Sequence, residues 1–422
     1  MSFARYPAYK DSGVEWLGEV PGHWEVKRLK YNLQLLTEKT NRRDHAIALE
    51  NIESWTGRYL PTETEFEGDG VAFEAGDILF GKLRPYLAKA YLTESSGEAV
   101  GDFHVLRPTP NTNARFAQYQ ILNREFIDLV DGSTFGLKMP RASWKFVAGI
   151  ALAAPPLVEQ QAIATFLDLE TAKIDGLMAE QRALMALLKE KRQAVISHAA
   201  IKGLNPAAPM KDSGVAWLGE VPGHWEVLKA TQIGDLFGSE QVPEELVSDL
   251  GSIPFIKVGS LSLTKFTVES WDWFVDDTNP KNYKLRNNYV VFPKRGAAIY
   301  SNKVNIVDRP SLIDPNLMGW EIGDKAVPRY IAYALKTRKI DELADVSTVP
   351  QINNKHVAPE RFPVPPQAEQ QEIIAFLDDQ TAQLDTLTQE AQTAIALLQE
   401  RRTALISAAV TGQMDVRAAV AA

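Results

Sequence analysis

The phrase KDSGVEWLGEVPGHWEV at residues 10–26 returns at residues 211–227 as KDSGVAWLGEVPGHWEV, and only Glu15 against Ala216 differs. A second pair of segments starts at Pro-Pro, residues 155–199 and 365–409, and agrees at about half its positions. The stretches between phrase and Pro-Pro agree hardly at all. Each half of the chain therefore runs phrase, variable block, Pro-Pro, long segment. Matching ends around diverging middles describe one scaffold that carries two different inserts.

With 422 residues the chain exceeds one ordinary core, and its 45% hydrophobic and 23% charged residues suit a globular protein. The absence of cysteine excludes disulfides, thiolate metal sites and cysteine nucleophiles. No stretch reaches the ~18 apolar residues of a membrane span, and the first residues have no apolar signal core, so a cytoplasmic protein without membrane contact is expected. The net charge of −9 is unevenly spread. Residues 27–154 hold sixteen charges of each sign and residues 228–364 seventeen of each, so the whole excess lies in the repeated segments. Two neutral blocks joined by acidic connectors are compatible with DNA contact by the blocks.

Each long segment runs some forty residues without proline and is rich in Ala, Leu, Glu, Gln, Lys and Arg, which predicts a helix starting near Pro-Pro. Apolar residues recur at sevens: Leu167, Ile174, Leu188 and Val195 in the first, Leu377, Leu384, Leu398 and Leu405 in the second. Leu177, Leu184 and Leu387 stand offset between them. Such a narrow stripe predicts a coiled-coil seam, with the two helices, each ~60 Å long, covering each other. Two like units in one chain pack most simply about a pseudo-two-fold axis, which makes the helices antiparallel. Gly203 and Gly412 suit C-terminal caps. The variable blocks read as mixed α/β, with strands and helices in the same order in both. The expected divisions are 1–154, 155–204, 205–364 and 365–422.

APPLVEQQAIATFLD (154–168) and VPPQAEQQEIIAFLD (364–378) resemble the pattern P-x-x-EQ-x-x-I-x-x-FLD of specificity subunits of type I restriction–modification systems. The phrase also looks like the opening of each half of those proteins, so the resemblance covers essentially the whole chain. It implies a fold of two α/β target recognition domains joined by the coiled coil. Each domain would read one half of an asymmetric bipartite site in double-stranded DNA, and the helices would set the spacer. Helices and phrases would dock two methyltransferase subunits and, through them, restriction (nuclease–translocase) subunits. The chain itself would be non-catalytic and hold no cofactor; S-adenosylmethionine, ATP and Mg belong to the partner subunits.

A search for chemistry agrees with that expectation. There is no NPPY-like tetrapeptide, phosphate loop or GxGxxG, and the six histidines lack metal-ligand spacing. His23 and His224, at the same place in both phrases, read as turn histidines beside Trp24 and Trp225. Cations for phosphates and forked or amide side chains for base edges do occur, in clusters. The first block offers Lys82, Arg84 and Lys89, then Lys138, Arg141 and Lys145. The second offers Lys281, Lys284, Arg286, Lys294, Arg295 and Lys303 without an intervening acid, then Gln351, Asn353, Asn354 and Lys355. The competing reading is a coiled-coil adaptor that joins two partner proteins without touching DNA; the acid-free loops argue against it.

Overall fold

The computed structural model describes residues 4–40, 45–62, 69–134, 139–276, 283–345 and 349–420. Lys138 and Lys281 lie outside the described residues. The chain divides into two compact units, Met1–Gln181 with Thr393–Ala422, and Arg182–Gln392. Each unit holds one phrase, one variable block, the start of one long helix and the end of the other.

The phrase folds the same way in each unit. Two short strands pair antiparallel, Tyr9–Asp11 with Glu19–Pro21 and Met210–Asp212 with Glu220–Pro222. The tryptophan after the Val-Pro-Gly-His turn, Trp24 or Trp225, is fully buried. The last residues of the phrase then form a strand that pairs with the final strand of the block. Glu25–Arg28 lies against Ala151–Ala154, and Glu226–Lys229 against Arg361–Val364. Both ends of each variable block are thus joined in one antiparallel ladder.

Within the first block a four-stranded antiparallel sheet has the order Leu33–Leu36, Phe103–Pro108, Ile78–Gly81, Ala90–Leu92. The second block repeats it as Gly234–Phe237, Leu317–Ile322, Tyr289–Pro293, Asn305–Val307. The strands Ile78–Gly81 and Tyr289–Pro293 are apolar and buried at every position because both faces are covered, and alternate side chains serve different cores. Ile78 and Phe80 join a core with helices Ala114–Ile121 and Arg124–Gly132, while Leu79 joins Ile47, Phe73 and Ala99 of a second sheet. Val290 and Phe292 likewise meet helix Pro328–Arg338, while Tyr289 and Val291 face Ile256 and Ile313. The second sheets differ in detail. Gly70–Phe73 pairs with Gly97–Val100, whereas Phe274–Val275 pairs with Ile253–Ile256.

The long helices run Leu157–Lys202 and Gln367–Val410. They end at Gly203 and Gly412, whose φ values of +74° and +78° are left-handed, as the C-cap reading requires. A Cβ on Gly412 would also lie 2.3 Å from Pro21 Cδ, so glycine is needed for contact with the phrase as well. In each unit the start of one helix packs with the end of the other, the pairing that antiparallel helices make. Ile163, Leu167, Ile174 and Met178 share a core with Leu405, Ile406 and Ala409; Ile373, Ile374 and Leu377 share one with Ile196, Ala199 and Ala200. The stripe at sevens, from Leu167 to Val195 and from Leu377 to Leu405, is buried or half-buried. The offset residues are not: Leu177, Leu184 and Leu387 are 47%, 42% and 46% exposed. The alternating 3–4 spacing of a seam runs instead through Thr171, Met178, Met185 and Arg192, and through Thr381, Thr388, Ile395 and Arg402. Each arginine pairs with an aspartate of the facing helix in its own unit, Arg402 with Asp175 at 3.0 Å and Arg192 with Asp385 at 3.1 Å.

The repeated motif at the helix starts holds phrase, block and helix together. Glu159 accepts from Trp24 Nε1 (3.0 Å) and meets His23 Nε2 (2.6 Å); Glu369 meets His224 Nε2 (2.7 Å). Gln160 accepts from the Asn113 amide (2.8 Å) and donates to the Pro155 carbonyl (2.9 Å). Gln370 does the same with Val327 (2.7 Å) and Pro365 (2.8 Å). Asp168 accepts from the Tyr119 hydroxyl and Asp378 from that of Tyr333, both at 2.7 Å. The polar residues of EQ-x-x-I-x-x-FLD are therefore accounted for by the frame. The two histidines are latched to the helix start as well as placed beside the tryptophans.

Candidate nucleic-acid interface

Both blocks finish their central strand in a basic loop, and both tie it to the loop that precedes the final strand. In the first, Ile78–Gly81 ends at Lys82. The Lys82 amide donates to the Asp102 carbonyl (2.8 Å), its carbonyl accepts from Ala142 (2.8 Å), and the Arg84 amide donates to Pro140 (2.9 Å). In the second, Tyr289–Pro293 ends at Lys294. Its amide donates to Asn316 (2.8 Å), its carbonyl accepts from Ile352 (2.8 Å), and the Gly296 amide donates to Pro350 (2.9 Å). Arg84 and Gly296 both have positive φ, +50° and +72°, but their ψ values of 64° and −168° differ, so the two loops share these bonds while the backbone departs from them differently. By these bonds Lys82 corresponds to Lys294, Asp102 to Asn316 and Arg141 to Gln351, and the same offset matches Lys145 with Lys355.

The side chains on this common platform differ. Arg141 makes a forked pair with Asp102, from Nε at 3.1 Å and from Nη2 at 2.9 Å, and Lys82 Nζ stands 3.7 Å from the same carboxylate. Gln351 Nε2 donates to Asn353 Oδ1 at 3.2 Å. Lys355 Nζ lies 3.9 Å from Asp345, and Asn354 is exposed beside it. Arg84, Lys145, Lys284 and Arg295 are exposed and have no ion pair among the described residues. Tyr86 and Tyr300 stand exposed on the two strand-end loops. Exposed cations next to exposed rings have the chemistry that phosphate contact and base or sugar stacking require.

Other basic residues of the clusters are drawn partly or wholly into the blocks. Lys89 Nζ donates to the Leu49 carbonyl at 2.6 Å, and burial pulls its pKa down. Arg286 pairs with Glu321 and lies 4.7 Å over the Phe237 ring, its side chain only 14% exposed. Lys303 is half-buried. Lys294 is also half-buried, and burial together with Arg295 lowers its pKa while Asp314 opposes the shift. Sequence reasoning missed Asp102 and Asn316, which reach the platform only because Phe103–Pro108 and Leu317–Ile322 pair with the central strands. It also missed His104, buried beneath the closing loop with Nε2 3.1 Å from the Ala142 carbonyl. No group of three or more His, Cys, Asp or Glu positioned to hold a metal occurs among the described residues, and no helix there is long and apolar enough to cross a membrane.

Burial lowers the His104 pKa to about 4, with Lys82 adding to the shift and the Ala142 bond opposing it. The ring is neutral at pH 7. The unfolded chain, with histidine near 6.5, takes up the proton first on acidification. Stability from this site is therefore complete above about pH 6.5 and is lost as the pH falls toward 4, up to about 3 kcal/mol. His104→Gln should flatten the difference between urea midpoints at pH 7 and pH 4.5; an unchanged difference would dismiss this role.

A family model for the type I restriction modification DNA specificity domain matches residues 222–396. The type I restriction enzyme EcoDI specificity subunit of Escherichia coli is 25% identical over 209 residues, covering 46% of this chain and 46% of that protein. The chain thus matches less than half the length of this curated relative. Two solved structures share the fold. One, described as "Structural basis underlying complex assembly and conformational transition of the type I R-M system", has a TM-score of 0.71 at 18% identity. The other, the HsdS subunit from Thermoanaerobacter tengcongensis, has 0.54 at 17%. Each alignment covers 93% of this chain and 98% of the other. The chain thus shares the fold of these solved structures, and its similarity to the DNA specificity domain spans less than half of its length.

Proposed function

We propose that the two variable blocks read the two halves of an asymmetric bipartite site in duplex DNA. The paired helices set the unread spacer and, with the phrases, dock two methyltransferase subunits, through which restriction subunits join. In this reading the chain does no chemistry, and S-adenosylmethionine, ATP and Mg act in the partner subunits. The observation that carries the reading is the shared platform. Two units build the same pair of loops with the same backbone bonds and place different side chains on them. A scaffold that keeps its geometry and varies its polar surface suits recognition of two different sequences on one type of ligand.

The test is Lys294→Ala/Arg295→Ala in the assembled complex. Affinity for the target duplex should fall about tenfold or more, and the slope of log K against log salt should shrink by about one to two. An adaptor that does not touch DNA predicts no change in either quantity.

A further inference from the structure

Arg141 and Gln351 occupy the same place on the two platforms, and each is held there by a neighbour from its own unit. Asp102 accepts from Arg141 Nε and Nη2, which fixes the guanidinium plane; the outer edge, both Nη1 hydrogens and one on Nη2, has no partner among the described residues. That edge remains available because the Arg141 side chain is 54% exposed. Asn353 takes one hydrogen of the Gln351 amide, and the other hydrogen and the carbonyl oxygen have no partner among the described residues.

The charges argue for bases over phosphates at this place. Arg141 is already matched by a carboxylate that would repel a phosphate, and Gln351 carries no charge. Exchanging Asp102 and Arg141 for Asn316 and Gln351 also leaves the net charge beside Lys82 and Lys294 the same. The position therefore changes its donor–acceptor pattern between units without changing its electrostatics. A free guanidinium edge presents two parallel donors, the complement of guanine O6 and N7. A free amide presents one donor and one acceptor, the complement of adenine N7 and N6.

We propose that residues 141 and 351 are the corresponding base-reading positions of the two blocks. Arg141, positioned by Asp102, takes a guanine in one half-site, and Gln351, positioned by Asn353, takes an adenine in the other. This deepens the reading above and rests on it. Arg84, Lys145 and Arg295, exposed and without ion pairs among the described residues, hold phosphates around these readers.

The experiment measures binding of the complex assembled on the full chain to duplexes that differ by single base pairs across the target. Arg141→Gln should reduce the preference for one G·C pair about tenfold or more, moving it toward A·T, and leave the other half-site as it was. Gln351→Arg should do the reverse in the other half-site. Asp102→Asn should narrow the guanine preference and raise the salt slope by about one, since the freed guanidinium then serves phosphates. An unchanged preference in both glutamine–arginine exchanges overturns the assignment. So does equal weakening on every duplex, which is what a phosphate contact or a folding defect gives. Replacing the whole first block by the second separates the two claims. If that replacement shifts the half-site and Arg141→Gln does not, only the residue assignment falls; if neither shifts it, the reading of DNA by the blocks falls too.

Discussion

In the proposed reading, replacing residues 29–150 by a second copy of residues 230–360 turns two unlike half-sites into two of the same sequence, and the original target should no longer be methylated. The cut points lie just inside the ladders that join each block to its phrase, between Arg28 and Ala151 and between Lys229 and Arg361. The incoming block brings its own bonds to the frame. Tyr333 and Arg329, which hold Asp378 at 2.7 and 2.8 Å, would meet Asp168 where Tyr119 and Arg115 now do. The fold should therefore be kept while recognition changes completely, a loss of roughly a thousandfold or more in preference for the old site. Methylation sequencing of a host carrying the chimera gives the answer. Continued methylation of the original motif would contradict the assignment of recognition to the blocks.

Trp24→Ala should cost the first unit about 3–5 kcal/mol, the range for emptying a well-packed tryptophan site. Trp24 is fully buried in a core with Tyr6, Leu17, Val20, Ile406, Ala409 and Val410, and its ring nitrogen donates to Glu159. The substitution leaves a cavity where phrase, helix start and helix end meet. Denaturant unfolding should show an early transition for the first unit, with Trp225→Ala doing the same to the second. Recovery of methyltransferase subunits with the chain should fall, while the complex that does form keeps its target. A cost below about 1 kcal/mol, or an altered target with normal assembly, would show that the phrase is no joint.

Much of the frame was legible because it is written twice. The repeat located both blocks, the Pro-Pro segments located both helices, and Gly203 and Gly412 marked their ends. The seam was half legible. Its leucines at sevens stood out, but its other stripe contains Thr171, Thr381, Arg192 and Arg402, residues that give no hydrophobic signal. Leu177, Leu184 and Leu387 gave that signal from the exposed side. In the loops, composition indicated where cations gather but not where they point. Lys89 and Arg286 turn inward to a carbonyl and a carboxylate, while Arg84 and Arg295 stay outside. Asp102 and Asn316 were invisible as partners because strand pairing, a non-local event, brings them to the platform.

The ladder that closes each block also bears on descent. A segment whose two ends leave the frame side by side can be exchanged whole, because the closing ladder and the bonds to the Gln and Asp of the helix start recur in both blocks. In the proposed reading, a lineage that trades such a segment acquires a new target in one step. The near-identical phrases supply matching borders for the exchange, and the subunits that modify DNA need not change with it. Selection then acts on the phrase for interchangeability, which explains sixteen matching positions around blocks that share almost none.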